Sequence, residues 1–476
     1  MRILLFFATV CISLMASGQT VEETYPQTLW SQNDTFIMKH KGLSTPFYFT
    51  ASRKDNRSPG TDAAIDEYAT IYYGHDSLRL NYNNRIPYAH IIYLHFASPK
   101  GKTTFRFHFN EVAGYFPDDY IKKNSNNVQY DIPEPYELAN IIWTLSPSGE
   151  RAQDLNKASD YYKQVVAYFK PYKNHPIFKK LDFPDSLYAV KYYDFRENSF
   201  AFNMKDTVPG SKNMQLLFNG PYYYVNGDAL ADSSLFGNLK PLVEDFAAKS
   251  NFRQFYKSHL SYYRKELQRQ KELLPVKQMW HWLEDQFPAT QYNSYRIVSS
   301  PLIGGSHSTQ NYASPYNGKW FSESVMFICG TDRYDKVPEL TEKQKEGLMS
   351  GIVFTEIDHN YINRISSKYA NQIDSIFGHR SVWAKSGNSS EFYYSAMSVF
   401  NEYMTHAVFC LYILDNYDKQ TADLVIDKRE DLMVNRRNFI RFKEFDSALI
   451  KLRQENKAVK VVDLYTAILQ WCAKQL

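Results

Sequence analysis

The sequence predicts an α+β protein: a β-rich N-terminal module, then a domain with a small sheet and a helical C-terminal half. Three observations predict it. Aromatic and other side chains alternate with period two in Thr104-Phe105-Arg106-Phe107-His108-Phe109, as in a half-buried antiparallel strand. From Leu239 onward apolar residues recur at spacings of three and four, with Lys, Arg and Glu between them, as on helices with one solvated face. Between these regimes, Tyr295–Leu302 and Glu323–Cys329 read as strands leading into a long apolar helical run, Gly347–Ile365.

The chain has 476 residues, enough for two or three domains with a large core. Charged residues make up 22% and apolar ones 44%, which is ordinary for a globular protein and excludes wholesale disorder. The net charge of +4 comes with no long basic run, so no nucleic-acid track is expected. The 38 tyrosines suit half-exposed sheets and extracellular ligand surfaces. Arg2, the apolar Ile3–Met15 and the small residues Ala16-Ser17-Gly18 before Gln19 read as a secretory signal peptide over 1–18. It is too short for a membrane span, and Ala8-Thr9-Val10 before Cys11 is a poor lipobox. The expected location is secreted or periplasmic, with no membrane span left after the signal is removed. The mature chain would keep Cys329, Cys410 and Cys472, an odd number that allows at most one disulfide. Cys329 and Cys410 lie in apolar runs and read as buried small hydrophobes.

In order along the chain, residues 19–140 form the β-rich module. Its candidate strands are Pro46–Thr50, Tyr68–Tyr73, Ala89–Phe96 and Thr103–Asn110, separated by turn-rich stretches such as Lys54–Thr61. Ile132-Pro133-Glu134-Pro135 marks a junction, and residues 141–290 read as mixed and then helical. Here Tyr136–Leu145 is a short apolar element, Lys157–Phe169 an amphipathic helix, and Leu187–Tyr193 and Asn213–Val225 strands around a turn at Pro209-Gly210. Leu239–Ala248 and Phe252–Leu273 follow as helices. Residues 291–476 carry the two strands already named, a turn at Gly304-Gly305-Ser306-His307, the long helix, and helices to the end.

The chemistry concentrates on two apolar helical runs. Thr341 and Gln344 fit a capping box ahead of the first. On it Thr355, Glu356, His359 and Asn363 share one stripe by three- and four-residue steps. The second run, Phe392–Leu414, is capped by Ser390 and has its own polar stripe of Ser395, Ser398, Asn401, Glu402, Thr405 and His406. An unpaired buried carboxylate is costly, so Glu356 requires a partner: a metal-bound water, a cation or a dense hydrogen-bond set. Two buried helices with polar stripes are most economically explained by one shared site.

Glu356-x-x-His359, followed about forty residues later by Asn401-Glu402 in an apolar helix, resembles the gluzincin branch of the zinc metallopeptidases. It is similar to secreted bacterial families of unknown function with a peptidase-like core, and the resemblance spans roughly Tyr295–Tyr417. It implies a zincin-like domain in which Glu356 is the general base and zinc is held by His359 and Glu402, with Asn401 or Asn363 supporting the ligands. By the same resemblance Tyr393 or Tyr394 would polarise a substrate carbonyl. The motif is degenerate, because Thr355 stands at the first His position and a neutral hydroxyl is a poor zinc ligand. His406 on the Glu402 stripe, or His307 on the strand-flanking loop, would have to compensate. Catalytic candidates are therefore Glu356 and Tyr393, and metal candidates His359, Glu402 and His406, with zinc weakened or lost.

The expected function is a secreted metal-dependent hydrolase of peptides with an impaired metal site. The alternative is an inactive pseudo-peptidase that binds a peptide or glycan. A third reading is a structural envelope-associated protein whose polar stripes form a hydrogen-bond network. Thr355 favours loss of activity, and retention of Glu356 favours activity.

Overall fold

The central strands are long runs of branched and aromatic residues, and such runs are stable only when both faces of a sheet are covered. In the computed structural model, which describes residues 116–208, 212–218, 234–316, 319–455 and 458–476, these strands form a four-stranded sheet wrapped by helices. The described part is mixed α+β and mostly helical. The expected signal peptide, the strand candidates up to Asn110 and the turn at Pro209-Gly210 lie outside the described residues. One compact unit comprises residues 115–225 and 230–476.

The elements that frame the site are, in chain order, β1 (Asn127–Asp131), α1 (Glu134–Leu145), α2 (Asp160–Phe169), α3 (Tyr188–Asn198), β2 (Phe202–Asp206) and β3 (Met214–Phe218). Helices α4 (Lys240–Lys249), α5 (Phe252–Ser258), α6 (Leu260–Leu273) and α7 (Val276–Gln286) follow. Next come β4 (Ser294–Ser300), β5 (Ser308–Tyr316) and β6 (Lys319–Cys329). The long α8 (Glu342–Ser366) leads to α9 (Ala370–Phe377) and α10 (Ala396–Asn416). The chain closes with α11 (Lys419–Asp431), α12 (Phe442–Glu455) and α13 (Tyr465–Ala473).

The sheet runs β5-β6-β4-β1. Strand β4 is parallel to both β6 and β1, with Ile297 opposite Met326 and Tyr130. Only β5 is antiparallel, lying along β6 with Gln310 opposite Val325. Val325, Met326, Phe327 and Ile328 are successive and fully buried, so both faces of β6 are packed. Burying each such side chain contributes about 1.5–3 kcal/mol. One face meets α1, where Tyr136 stacks on Phe327 with ring centroids 5.4 Å apart. The other meets α8, where the hydroxyls of Tyr361 and Tyr295 are 2.6 Å apart.

Helix α8 begins at the capping box formed by Thr341 and Gln344. It packs on α10 through Phe354 against Phe409 and Tyr412, with centroids at 5.6 and 4.8 Å. Gly347 and Gly351 let other elements come close: a Cβ at Gly347 would stand 2.9 Å from Val425 Cγ2, and one at Gly351 2.0 Å from Arg429 Nη2.

Four expectations change. Leu187–Tyr193 leads into helix α3, not a strand, because Tyr188 and Tyr192 pack on Trp143 of α1 instead of a neighbouring strand. Of the Asn213–Val225 strand, the described part is Met214–Phe218, paired with β2. Strand β5 had no counterpart in the sequence reading. Finally, α10 starts at Ser395, which forms a reciprocal cap with Ser398, whereas the Ser390 hydroxyl donates to Lys385 O and Gly387 O in the preceding loop. Cys329, Cys410 and Cys472 are all free thiols and all buried.

Candidate functional site

Helices α8 and α10 present their polar stripes to each other, and the shared site expected from the sequence is the place where they meet. Glu402, 3% exposed, stands at its centre. Its Oε1 is 3.5 Å from His359 Nε2 on α8, and its Oε2 is 3.4 Å from His406 Nε2 one turn along α10. His359 Nδ1 lies 3.4 Å from Thr405 Oγ1, so the imidazole is held between two positions of α10.

The partner that Glu402 requires is Arg437. Its Nη2 donates to Glu402 Oε2 at 2.7 Å and to the Tyr393 hydroxyl at 2.7 Å, and its Nη1 contacts His406 Nε2. The guanidinium also lies over the rings of Tyr393 and Phe439, at 5.3 and 5.5 Å from their centroids. A π-helical turn, Leu432–Arg436, follows α11 and delivers this residue, with Arg437 N donating to Leu432 O at 3.0 Å.

Burial alone would push the Glu402 carboxyl up, but Arg437, the His406 contact and His359 outweigh it and hold the group well below the usual carboxylate range. Burial, reinforced by the charges of Arg429 and Arg437, lowers His406 to about 3 against the pull of Glu402. His406 is therefore neutral and has one acceptor nitrogen. Arg429 Nη1 lies 2.8 Å from Nδ1 and Arg437 Nη1 contacts Nε2, so a guanidinium donor faces each ring nitrogen, although a neutral imidazole has a lone pair for only one of them. Arg429 is anchored in turn by its Nη2, which donates to Gly351 O at 2.8 Å, and by stacking 4.5 Å over Phe409.

The remaining α8 residues differ in their fates. The Thr355 hydroxyl turns back onto its own helix, donating to Gly351 O at 2.9 Å and to Ile352 O at 3.3 Å. Glu356 is half-buried and within electrostatic reach of Tyr193, Tyr393 and Arg437. Asp358 is fully buried; burial first, then the charges of Glu402 and Glu356, push its pKa well above the ordinary carboxylate value. Tyr393 points into the cluster, whereas Tyr394 is 59% exposed and points away. Asn401, both amide atoms, and Asn363 Oδ1 are buried without a hydrogen-bond partner among the described residues. His307 does not join Glu402: it lies near Arg196 and Arg333, and burial and those charges lower it to about 3.

Edge strand β5 runs beside the cluster. Asn360, next to His359, donates to Ser324 Oγ on β6 at 3.2 Å and to Thr309 Oγ1 on β5 at 3.4 Å, and accepts from Asn311 at 2.7 Å. On the opposite face the buried Arg196–Glu197 pair of α3 clamps the strand's beginning. Arg196 donates to Ser306 O at 2.9 Å and Ser308 Oγ at 3.1 Å, and Glu197 accepts from Gln310 at 2.8 Å. The Tyr193 hydroxyl reaches His307 O at 3.4 Å and faces the charge of Glu356 from the other side.

A zinc ion requires three or more free donors around one point. Here Glu402 Oε2 is bonded to a guanidinium, both ring nitrogens of His406 face guanidinium donors, and the Thr355 hydroxyl is spent on its own helix. Among the described residues no three His, Cys, Asp or Glu side chains form a metal-binding group. The residues as arranged do not fit the metal that the resemblance implies. Sequence reasoning missed Arg437, Arg429 and Tyr193. The two arginines sit in the stretch Lys428–Arg441, where the only signal was that a buried Glu402 demands a cation.

Comparison with protein-family models, curated proteins and solved structures finds no match to this chain. Among the described residues, no helix is long and apolar enough to cross a membrane.

Proposed function

We propose that this protein is a pseudo-peptidase, delivered outside the cytoplasm by its N-terminal leader, that holds an extended peptide along β5 without cutting it. The observation that carries the reading is the Arg437 guanidinium bonded to Glu402 Oε2. That contact places a fixed cation where water activation would call for a metal. Strand β5 supports the peptide-binding half, because it ends the sheet among the described residues and a sheet edge recognises extended chains through its backbone groups. The Asn360 bonds to both β5 and β6 keep that edge in fixed register beside His359. Glu356, Tyr393 and Tyr193 then line the approach as polar contacts for the peptide backbone.

Fluorescein-labelled casein, a largely unfolded polypeptide, is the probe. It is expected to bind the parent, seen as increased anisotropy, and to stay intact on a gel with or without added zinc. Gln310→Pro and Asn311→Pro are made in parallel, because successive residues of a strand direct their N–H groups to opposite edges. One should damage the β5–β6 ladder and lower the melting temperature. The other loses a side-chain bond but no ladder bond, so it should lower the melting temperature less and still lose casein binding at least tenfold. No binding by the parent, or cleavage abolished by a chelator, overturns the reading.

A further inference from the structure

We infer that the groove between α11, the π-helical turn and α12 is a docking surface for a basic amphipathic helix of another polypeptide. The inference rests neither on the Glu402 cluster nor on the edge of β5, and its test involves neither.

The groove has a volume of about 820 Å³, within the range in which proteins hold ligands. Its floor is apolar. Val434 of the π-helical turn, Ile440, Ala448 of α12 and Trp471 of α13 line it, and none of the four is fully buried. Trp471 meets the buried Phe445 edge to face, with ring centroids 6.1 Å apart. A tryptophan steadied by a core neighbour loses little freedom when a partner covers it, and such residues anchor interfaces.

The rim is acidic. Lys443 Nζ bonds Glu430 Oε2 at 2.9 Å and lies within electrostatic reach of Asp427 and Glu444 as well, so three carboxylates share one ammonium. The other lysine of the rim, Lys451, is 3.8 Å from Glu455. An apolar floor inside an excess of negative charge is complementary to apolar side chains flanked by Lys or Arg.

Backbone chemistry selects the form of the occupant. The walls are almost wholly helical, and their N–H and C=O groups are bonded within their own turns, so they offer an extended strand nothing to pair with. A partner must bring a backbone that is already satisfied, as an amphipathic helix does when it lays its apolar stripe in a groove. The π-helical turn adds a further pointer. Regular helix is interrupted where Val434 and Asn435 enter the groove, and such interruptions are found frequently at functional sites.

The experiment is a titration of the full chain into a fluorescein-labelled helical peptide of leucine and lysine, read by anisotropy, beside a counterpart with glutamate in place of lysine. The parent is expected to bind the lysine peptide saturably and the glutamate peptide not at all. Asp427→Lys combined with Glu444→Lys should weaken binding about tenfold or more, because two attracting charges become repelling ones. Both residues are exposed, so the fold should tolerate the change. Asp118→Lys combined with Asp119→Lys changes the net charge equally at exposed positions outside the groove, and should leave the affinity nearly unchanged because distant surface charges are screened. Trp471→Ala should also weaken binding about tenfold, whereas Trp471→Phe should keep most of it. The charge variants keep the test open if Trp471→Ala does not fold. No binding by the parent, equal binding of the two peptides, undiminished binding by the groove pair, or an equal loss in the control pair overturns the inference. Casein binding by the parent stands or falls separately.

Discussion

At Glu402 one side chain shows how burial sets the terms of a site. A carboxylate this deep is tolerated only because a guanidinium at 2.7 Å and two imidazoles share its oxygens. His307 shows the converse case, a buried imidazole kept neutral. Its folded pKa is lowered to about 3 from 6.5, with burial as the main cause. A lowered value means that the unfolded chain takes up a proton below pH 6.5 while the folded chain does not until pH about 3, so stability is lost as the pH falls through that window. His307→Asn should therefore make the acid limb of a denaturant-derived stability profile shallower by about 1.4 kcal/mol per pH unit. An unchanged slope between the two pH values would show that His307 is not buried neutral. The residue-level content of the sequence was partly legible. Glu356, His359, Glu402, His406 and Tyr393 all converge, because a polar residue on an otherwise apolar helix must face another polar group. Arg437 was not legible, since its direction depends on a π-helical turn that leaves no periodic signal.

Elements were read with uneven success, for physical reasons. Helix α8 and strands β4 and β6 were recognisable because their apolar runs are long and their caps local. Strand β5 was not, because Ser308–Tyr316 is mostly polar and draws its stability from side-chain bonds to Glu197, Arg196 and Asn360, which are distant in sequence. Helix α3 was mistaken for a strand because Tyr and Val favour strands unless helix neighbours cover them. The meeting of α8 with the arginine segment depends on Gly351. In Gly351→Ala the new Cβ would lie 2.0 Å from Arg429 Nη2 and 2.8 Å from Phe409 Cζ. Arg429 must then give up Gly351 O and loosen its hold on His406, and overpacking of this kind costs about 1–3 kcal/mol. Chemical denaturation should show that loss with an unchanged m-value. A substitution that leaves stability unaltered would mean that Arg429 does not dock on this helix.

Across the described molecule, one core runs from α1 to α13, and the three cysteines sample it from different elements. Cys329 ends β6, Cys410 lies in α10 and Cys472 in α13, each at most 3% exposed. If this unit unfolds cooperatively, the three thiols should react with a thiol reagent at one common rate, and that rate should rise with denaturant as global unfolding does. A separate fast phase from Cys472 alone would show that α13 opens independently.

The π-helical turn before Arg437 has a consequence for inheritance. Such a turn is an α-helix with one surplus residue. Deleting a single codon within Leu432–Arg436 would let the helix close its normal ladder and change how it hands the chain on to Arg437. The reach of the guanidinium to Glu402 therefore depends on the length of this turn as well as on the residues of the cluster. Two lineages with identical site residues but turns of different length would thus differ in how firmly the buried Glu402 keeps its cation.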